Sequence, residues 1–419
     1  MQVVLLAAGD STRFYPFNRY GHKSFFPVMD KPIIYHTLKG IKETGITEVI
    51  IVVRKKAYLE NLLAEQEELG LSLTVVEQPI ALGMGDALAH VRQYIHDDFF
   101  LLHAHHVDFI QFKEMLEKEK TKQDEVVLLA THEDAIEKYG ALRIEGKKVL
   151  EIVEKPKGDK IPSHLKVVGI YLLPERFFDQ LEKTPLHHNN LEVAISEYAK
   201  DFSVTFVETQ KKPISLKYPW DLFTISSYLL THLQPFISPL AHVSPHAIVS
   251  GSVVIQSGAK VLEGACIKGP CYIGKDVLVG NNALLRNGVM LGEGSVVGAN
   301  MEMKNVLLLH QTKTHSGFIG DSIIGKDCHI AAGICTGNVR LDRKDIQVKL
   351  QNEMVSTHCR SLGIIMGDGV KTGIHISTMP GVIIGNEAII GPNTLVMNEV
   401  SEKTTVYAKF DHIVISPKE

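Results

Sequence analysis

From residue 243 onward, an aliphatic side chain recurs at every sixth position. Val243, Val249, Ile255, Val261, Ile267, Ile273, Val279, Leu285, Leu291 and Val297 give ten such positions without a miss, and Gly follows at 274, 280, 292 and 298. A sustained hexapeptide period predicts a parallel β-helix, in which each aliphatic residue points inward and stacks on its counterpart one coil along. No single coil can bury its face alone, so the stack must be long. The period lapses over 301–316, returns at Ile319-Gly320 and Ile324-Gly325, lapses again around 340–362, and resumes at Ile384-Gly385 and Ile390-Gly391. Lapses of this kind are where loops leave a solenoid, and such loops commonly build its binding face.

The first half follows a different rule. VVLLAA (3–8), EVIIVV (48–53), LSLTVVE (71–77), DFFLLHA (98–104) and EVVLLAT (125–131) read as buried strands. They alternate with helix-like stretches at 32–44, 57–69, 84–95 and 111–120. That alternation predicts βαβ units and a mostly parallel, Rossmann-like sheet, whose ligands bind at the carboxyl ends of its strands. A length of 419 residues suits two or three domains. With LLTHLQPFISPL (229–240) as the hinge, the expected domains are 1–230 and 231–419.

Charge and composition exclude several classes. A net charge of -4 argues against a nucleic-acid partner, which usually requires a basic surface. No apolar run approaches the ~20 residues needed to span a bilayer. MQVVLLAAG at the start lacks a basic flank and is interrupted by Gly9, Asp10 and Arg13, so it reads as a first strand rather than a signal peptide. Five cysteines are an odd number without a CxxC pair. They read as small buried hydrophobes in a reducing, cytoplasmic setting.

The stretch LLAAGDSTRFYPFNRYGHKSFFPVMDKP (5–32) opens directly after the first strand. A glycine turn there can aim the backbone N–H groups around Ala7, Ala8 and Gly9 at phosphate oxygens. Arg13 and Lys23 add charge suited to a triphosphate and its departing pyrophosphate. This stretch resembles the signature of the sugar-1-phosphate nucleotidylyltransferases, with Ser11 in place of the usual second glycine and His22 in place of the proline before Lys23. Four further segments follow in that family's order. EQPIALGMGDA (77–87) resembles the nucleobase-reading segment, implying roles for Gln78 and Gly83. KYGALRIEGKKVLEIVEKP (138–156) resembles the sugar pocket, implying Tyr139, Gly140 and Glu154. VVGIYLL (167–173) resembles the next pocket strand, with Val168 where a small polar residue is common. KYPWDLF (217–223) resembles the terminal segment, implying Asp221 as a metal ligand.

One position departs from the family in its chemistry. Where the family carries Gly-Asp, with an aspartate that shares Mg²⁺, this chain reads LLHAHHVDF (101–109), placing His105 or His106 there. Magnesium prefers oxygen ligands and imidazole suits softer metals. Three outcomes stay open: Asp108 supplies the carboxylate, a metal such as Mn²⁺ is used, or nucleotidyl transfer is lost.

The interrupted stretch GANMEMKNVLLLHQTKTHSGFIGDSIIGKDCHIAAGICTGNVRLD (298–342) resembles the acetyltransferase half of the bifunctional N-acetylglucosamine-1-phosphate uridylyltransferases and their archaeal-type homologues. The resemblance implies His315 as the base that deprotonates an attacking amine, a task suited to a group titrating near neutrality. It also implies Arg286 and Lys304 as holders of a sugar phosphate, and Asn338 beside acetyl-CoA and the sugar. Phe318 replaces the family's tyrosine. A zinc site formed by His310, His315 and His329 is a further alternative, although their spacing makes no clear case.

The resemblance thus implies an α/β nucleotidyltransferase domain followed by a left-handed β-helix, assembled as a homotrimer. The implied reaction joins an NTP and a hexose-1-phosphate into an NDP-sugar and pyrophosphate. An acetyl-CoA-dependent N-acetylation of an amino-sugar phosphate would accompany it. The alternatives are a noncatalytic or regulatory homologue, and an acyltransferase whose first domain only binds nucleotide.

Overall fold

The computed structural model describes residues 1–64, 66–350 and 353–410, which form two compact units. The described residues of Met1–Ser11, Tyr20–Phe26 and Pro32–Leu216 make the first, and those of Thr12–Arg19, Pro27–Lys31 and Lys217–Glu419 the second. Among the described residues, no helix is long and apolar enough to cross a membrane.

The first unit is built on one nine-stranded sheet. Its strands in chain order are β1 (Gln2–Ala7), β2 (Glu48–Val53), β3 (Ser72–Glu77), β4 (Phe99–His103), β5 (Val126–His132), β6 (Gly140–Glu145), β7 (Lys148–Glu154), β8 (Leu165–Leu173) and β9 (Val204–Glu208). They lie side by side as β3-β2-β1-β4-β8-β5-β9-β7-β6. The strands β1 to β4 are parallel, with Val3 opposite Val49 and Phe100. β8 runs antiparallel between β4 and β5, and β6 and β7 form an antiparallel hairpin that pairs Gly140 with Glu154. The sheet is therefore mixed, although its nucleotide-facing half is parallel. The strands at 3–8, 48–53, 71–77, 98–104 and 125–131 all form within a residue of their expected ends. The helix expected over 32–44 appears as Ile33–Glu43, and that over 84–95 shortens to Met84–Ala89 followed by a single 3₁₀ turn. Alternating side chains of β1 enter separate cores on the sheet's two faces, with Val4 and Leu6 in one and Val3 and Leu5 in the other.

In the second unit the hexapeptide pattern becomes three columns of stacked side chains. Val243 pairs with Val261, then Val279 and Val297. Val249 leads to Ile267, Leu285 and Met303, and Ile255 leads to Ile273, Leu291 and Leu308. Every third member of the sequence series thus falls in the same column, as a three-sided left-handed β-helix requires. The lapse at 301–316 is not an excursion from the stack. The strand Met301–Leu308 stays in register, and a shortened coil brings Thr314 opposite Val297. The second lapse is an excursion: Gln347–Leu350 and Glu353–Ser356 form an antiparallel pair before Thr372 rejoins the column above Ile330. The expected hinge is also partly structured, since a helix runs to Thr231 and the first β-helix strand is Phe236–Ile237.

Leu285 is fully buried inside this stack. Leu285→Ala is expected to lower stability by roughly 2–5 kcal/mol through lost burial and a cavity that neighbouring coils cannot close. Chemical denaturation of the β-helix, followed by far-UV circular dichroism, checks this.

Candidate functional site

Within the first unit, the carboxyl ends of β1, β3 and β4 carry the nucleotide-site candidates. Ala7 and Ala8 are buried at the end of β1, while Gly9 is exposed and a Cβ there would meet nothing within 4 Å. Ser11, in place of a glycine, accepts a hydrogen bond from the Lys23 backbone N–H at 2.8 Å. His22, in place of a proline, is buried and accepts from the Ser24 N–H through Nδ1 at 3.3 Å. Both departures therefore fix the turn that presents Lys23, whose Nζ donates to the Leu216 carbonyl. Gln78 lies just beyond β3, and its side-chain amide donates to Asp86 at 2.6 Å and to the Gly83 carbonyl at 3.2 Å. Gly83 has φ of +119°, and a Cβ there would come within 2.4 Å of the His188 carbonyl oxygen. A glycine is needed on both counts.

The histidines at the end of β4 form a stack. The rings of His105 and His106 are 4.7 Å apart, and His103 lies 5.4 Å from His105. The His103 ring occupies the space over Gly169, where a Cβ would come within 2.4 Å of its Cδ2. His105 is buried, and its Nδ1 has no hydrogen-bond partner among the described residues. Burial, and then the nearby Lys23 charge, hold its pKa well below the usual imidazole range. Burial, and then Lys23, likewise push His22 down to about 3. Asp108 accepts from the Ile214 N–H at 2.8 Å and lies 3.5 Å from His106.

The family's metal does not fit these groups as it fits a carboxylate. The oxygen donor is replaced by a buried imidazole inside a ring stack; Asp108 Oδ2 is taken by the Ile214 N–H, and its buried Oδ1 lies 3.5 Å from His106 without a hydrogen bond among the described residues. Among the described residues, no group of three or more His, Cys, Asp or Glu is placed to hold a metal ion, which includes His310, His315 and His329.

Neutral, buried imidazoles have a consequence for stability. Between about pH 3 and 6.5 the unfolded chain binds a proton at His22 that the folded chain refuses, so stability rises with pH there. His105 acts in the same direction. Glu192 acts oppositely: burial holds its pKa up to about 7, so its contribution fades as pH rises from 4.5 through 7. Two groups against one predict a first unit that melts at lower temperature as pH falls from 6.5 to 5. Thermal melting across that range checks the sign.

The sugar-pocket candidates also meet within the first unit. Gly140 faces Glu154 across the β6–β7 pair, and a Cβ at Gly140 would come within 3.0 Å of Glu154 Oε2. The Tyr139 ring carries the Lys166 ammonium 4.0 Å from its centroid. Val168 is buried within β8. Glu192, which the motif search passed over, lies in the first turn of the helix Asn190–Asp201, close enough for Glu154 to raise its pKa.

Arg13 and Asp221 belong to the second unit. Arg13 is exposed on the stretch Thr12–Arg19, where the Pro16 carbonyl accepts from Asn386 Nδ2 at 2.9 Å and Arg19 pairs with Glu387 at 3.2 Å. Asp221 accepts the backbone N–H groups of Lys217 at 2.6 Å and Tyr218 at 2.8 Å through Oδ2.

Two of the acetyltransferase candidates, Lys304 and Asn338, meet on the β-helix at a buried aspartate. Asp321 accepts from Lys304 Nζ at 3.0 Å, from Asn305 Nδ2 at 2.9 Å and from Asn338 Nδ2 at 2.6 Å. Gly320 leaves room for the neighbouring side chains, since a Cβ there would lie 2.7 Å from the Phe318 ring and 2.9 Å from Asn338 Nδ2. Arg286 is joined to Glu302 by two hydrogen bonds, at 2.6 and 3.0 Å. The two cations expected to hold a phosphate thus both have carboxylate partners. His315 is exposed at a corner of its coil, with its backbone N–H on the Ile330 carbonyl at 3.0 Å. The part of Asp321 as a shared acceptor, and that of Asn305, are visible only in the fold. All five cysteines are free thiols.

Residues 2–229 match the nucleotidyl transferase family, and residues 270–301 match the hexapeptide repeat of succinyl-transferase. The chain belongs to the nucleotidyl transferase family. Members with the same two-part plan align from end to end. The "Bifunctional protein GlmU" of Methanococcus maripaludis is 34% identical, with 100% of each chain covered. The "Bifunctional sugar-1-phosphate nucleotidylyltransferase/acetyltransferase" of Sulfurisphaera tokodaii is 30% identical, covering 96% of this chain and 98% of its own. The ordered segments from Gly9 to Asp221 therefore lie within the family match, and the β-helix site lies in a part that both relatives share.

Proposed function

We propose that this chain transfers a nucleotidyl group from an NTP to a hexose-1-phosphate, releasing pyrophosphate, and that its β-helix transfers acetyl from acetyl-CoA to an amino-sugar phosphate. The observation that carries this reading is the end-to-end alignment with bifunctional relatives, one of them named for both activities. In the first reaction, an oxygen of the sugar phosphate attacks the NTP α-phosphorus in line, and the bond to the departing pyrophosphate breaks. The protein's part is positioning and charge neutralisation. The turn held by Ser11 and His22 presents Lys23 to the phosphates, and Gln78 and Gly83 lie against the base. Tyr139, Gly140 and Glu154 hold the hexose. Mg²⁺ is the family's usual ion, with Mn²⁺ the alternative.

In the second reaction, His315 takes the proton from the attacking amine as the amide bond forms and coenzyme A leaves. Lys304, Arg286 and Asn338 bind the sugar phosphate, in exchange for part of their present pairing with Asp321 and Glu302. The free thiols suit a cytoplasmic setting, and the β-helix suits a homotrimer. The test is pyrophosphate release from four NTPs with several hexose-1-phosphates, run with Mg²⁺, with Mn²⁺ and with chelator. Release with one pair supports the reading. Silence from folded protein that still binds nucleotide overturns it in favour of an acyltransferase or regulatory role.

A further inference from the structure

Gln78 follows β3 directly, at the carboxyl end where a sheet of this kind takes its ligands, and it is only 2% exposed. Its backbone N–H donates to the Val53 carbonyl at 2.8 Å, which fixes the main chain. The side chain is fixed from its other end. Nε2 donates to Asp86 Oδ2 at 2.6 Å and to the Gly83 carbonyl at 3.2 Å. A carboxylate and a carbonyl can only accept, so turning the amide over would set its oxygen against two acceptors. The Gly83 carbonyl is itself held, since it also accepts the Ala87 N–H at 3.2 Å. An amide nitrogen carries two hydrogens, and here both are committed. What remains is Oε1, an acceptor that takes part in no hydrogen bond among the described residues.

A glutamine amide left to itself pairs bidentately with an amino-bearing edge, accepting from the amino group and donating to the neighbouring ring nitrogen, as it does with adenine. Cytosine offers the same donor and acceptor side by side. A locked amide cannot make that pair. It accepts, but leaves the ring nitrogen without a donor, and an unmet acceptor in a buried site is costly. Uracil, thymine and guanine carry a hydrogen on the corresponding ring nitrogen, and a lone acceptor suits it.

Resting on the nucleotidylyltransferase reading of this site, we propose that Asp86 sets the choice of nucleobase. By holding Gln78 with only its acceptor free, it selects NTPs whose base bears a ring N–H, those of uridine, thymidine and guanosine, over those of adenosine and cytidine. Asp86 is a positioning residue that acts through Gln78.

The test measures kcat/KM of the full chain for ATP, CTP, GTP and UTP, with glucose-1-phosphate, glucosamine-1-phosphate and N-acetylglucosamine-1-phosphate as acceptors. UTP or GTP is expected to exceed both ATP and CTP at least tenfold. That ratio should fall below threefold in Asp86→Asn, whose amide can donate to a turned Gln78, and in Asp86→Ala, which frees an Nε2 hydrogen. A merely structural loss would lower all four NTPs alike and leave the ratio unchanged. Melting curves show which variant keeps the fold, and alanine, a strong helix former, serves if asparagine does not. ATP or CTP turned over as well as UTP and GTP by wild type, or an unchanged ratio in a folded variant, overturns this inference and leaves the nucleotidylyltransferase reading intact. If no pair releases pyrophosphate, that reading fails, and calorimetry of the four NTPs with the same proteins decides the inference. At least tenfold tighter binding of UTP or GTP that is lost in the variants upholds it; equal or absent binding overturns it.

Discussion

Asp321→Ala is expected to abolish acetyl transfer and to cost the β-helix roughly 2–4 kcal/mol. The carboxylate is the shared acceptor for Lys304, Asn305 and Asn338, and it is buried. Removing it leaves a cation and two amides without their acceptor. The cost falls below that of breaking a fully buried pair because Lys304, with its side chain 27% exposed, can still reach water. The backbone adds to the effect. Asp321 has φ of +48°, a left-handed conformation that aspartate tolerates better than alanine does. Asp321→Asn separates the two contributions: it keeps the shape and the turn but removes the charge that fixes Lys304. Its stability should lie between those of wild type and Asp321→Ala, with acetyl transfer still strongly reduced. Denaturant midpoints alongside coenzyme A release from acetyl-CoA measure both.

Lys23→Ala is expected to lower kcat/KM for nucleotidyl transfer by roughly 10²–10³-fold, the scale of losing one preorganised charge from a phosphoryl transition state. Its N–H is tied to Ser11 and its ammonium is placed against the Leu216 carbonyl, so the charge is positioned before substrate arrives. Lys23→Arg should not restore the rate. The planar guanidinium is bulkier and presents a fork in place of the compact ammonium that the Leu216 carbonyl accepts. Steady-state pyrophosphate release with saturating sugar phosphate checks both variants.

Much of this architecture was legible in the chain because its strongest patterns are those that burial imposes. A period of six translates directly into three columns, since each coil must return the same side chain to the same wall. The lapse at 301–316 misled because a column can stay filled while its coil shortens. Met303 and Leu308 hold their places, but the count between them and the next coil changes. The antiparallel direction of Leu165–Leu173 was not readable either, because a strand buried on both faces is a continuous apolar run whichever way it points.

The candidate sites divide along similar lines. Lys23, Gln78, Gly140 and Glu154 lay in motifs whose order marked them. Glu192 did not, since an acid in the first turn of a helix is an ordinary feature of any helix. Its significance depends on burial and on Glu154, which lies elsewhere in the sequence. The histidines were visible as a departure, but a ring stack that leaves the Nδ1 of His105 without a partner among the described residues is a product of packing.

The central claim is that one chain performs two separate reactions at two sites, and a crossed pair of variants tests it most directly. Wild type, Lys23→Ala and His315→Ala would each be assayed, from single preparations, for pyrophosphate release and for coenzyme A release. The account predicts that Lys23→Ala loses the first activity and keeps the second, and that His315→Ala does the reverse. Loss of both activities in either folded variant, or wild type lacking one of them, would contradict it.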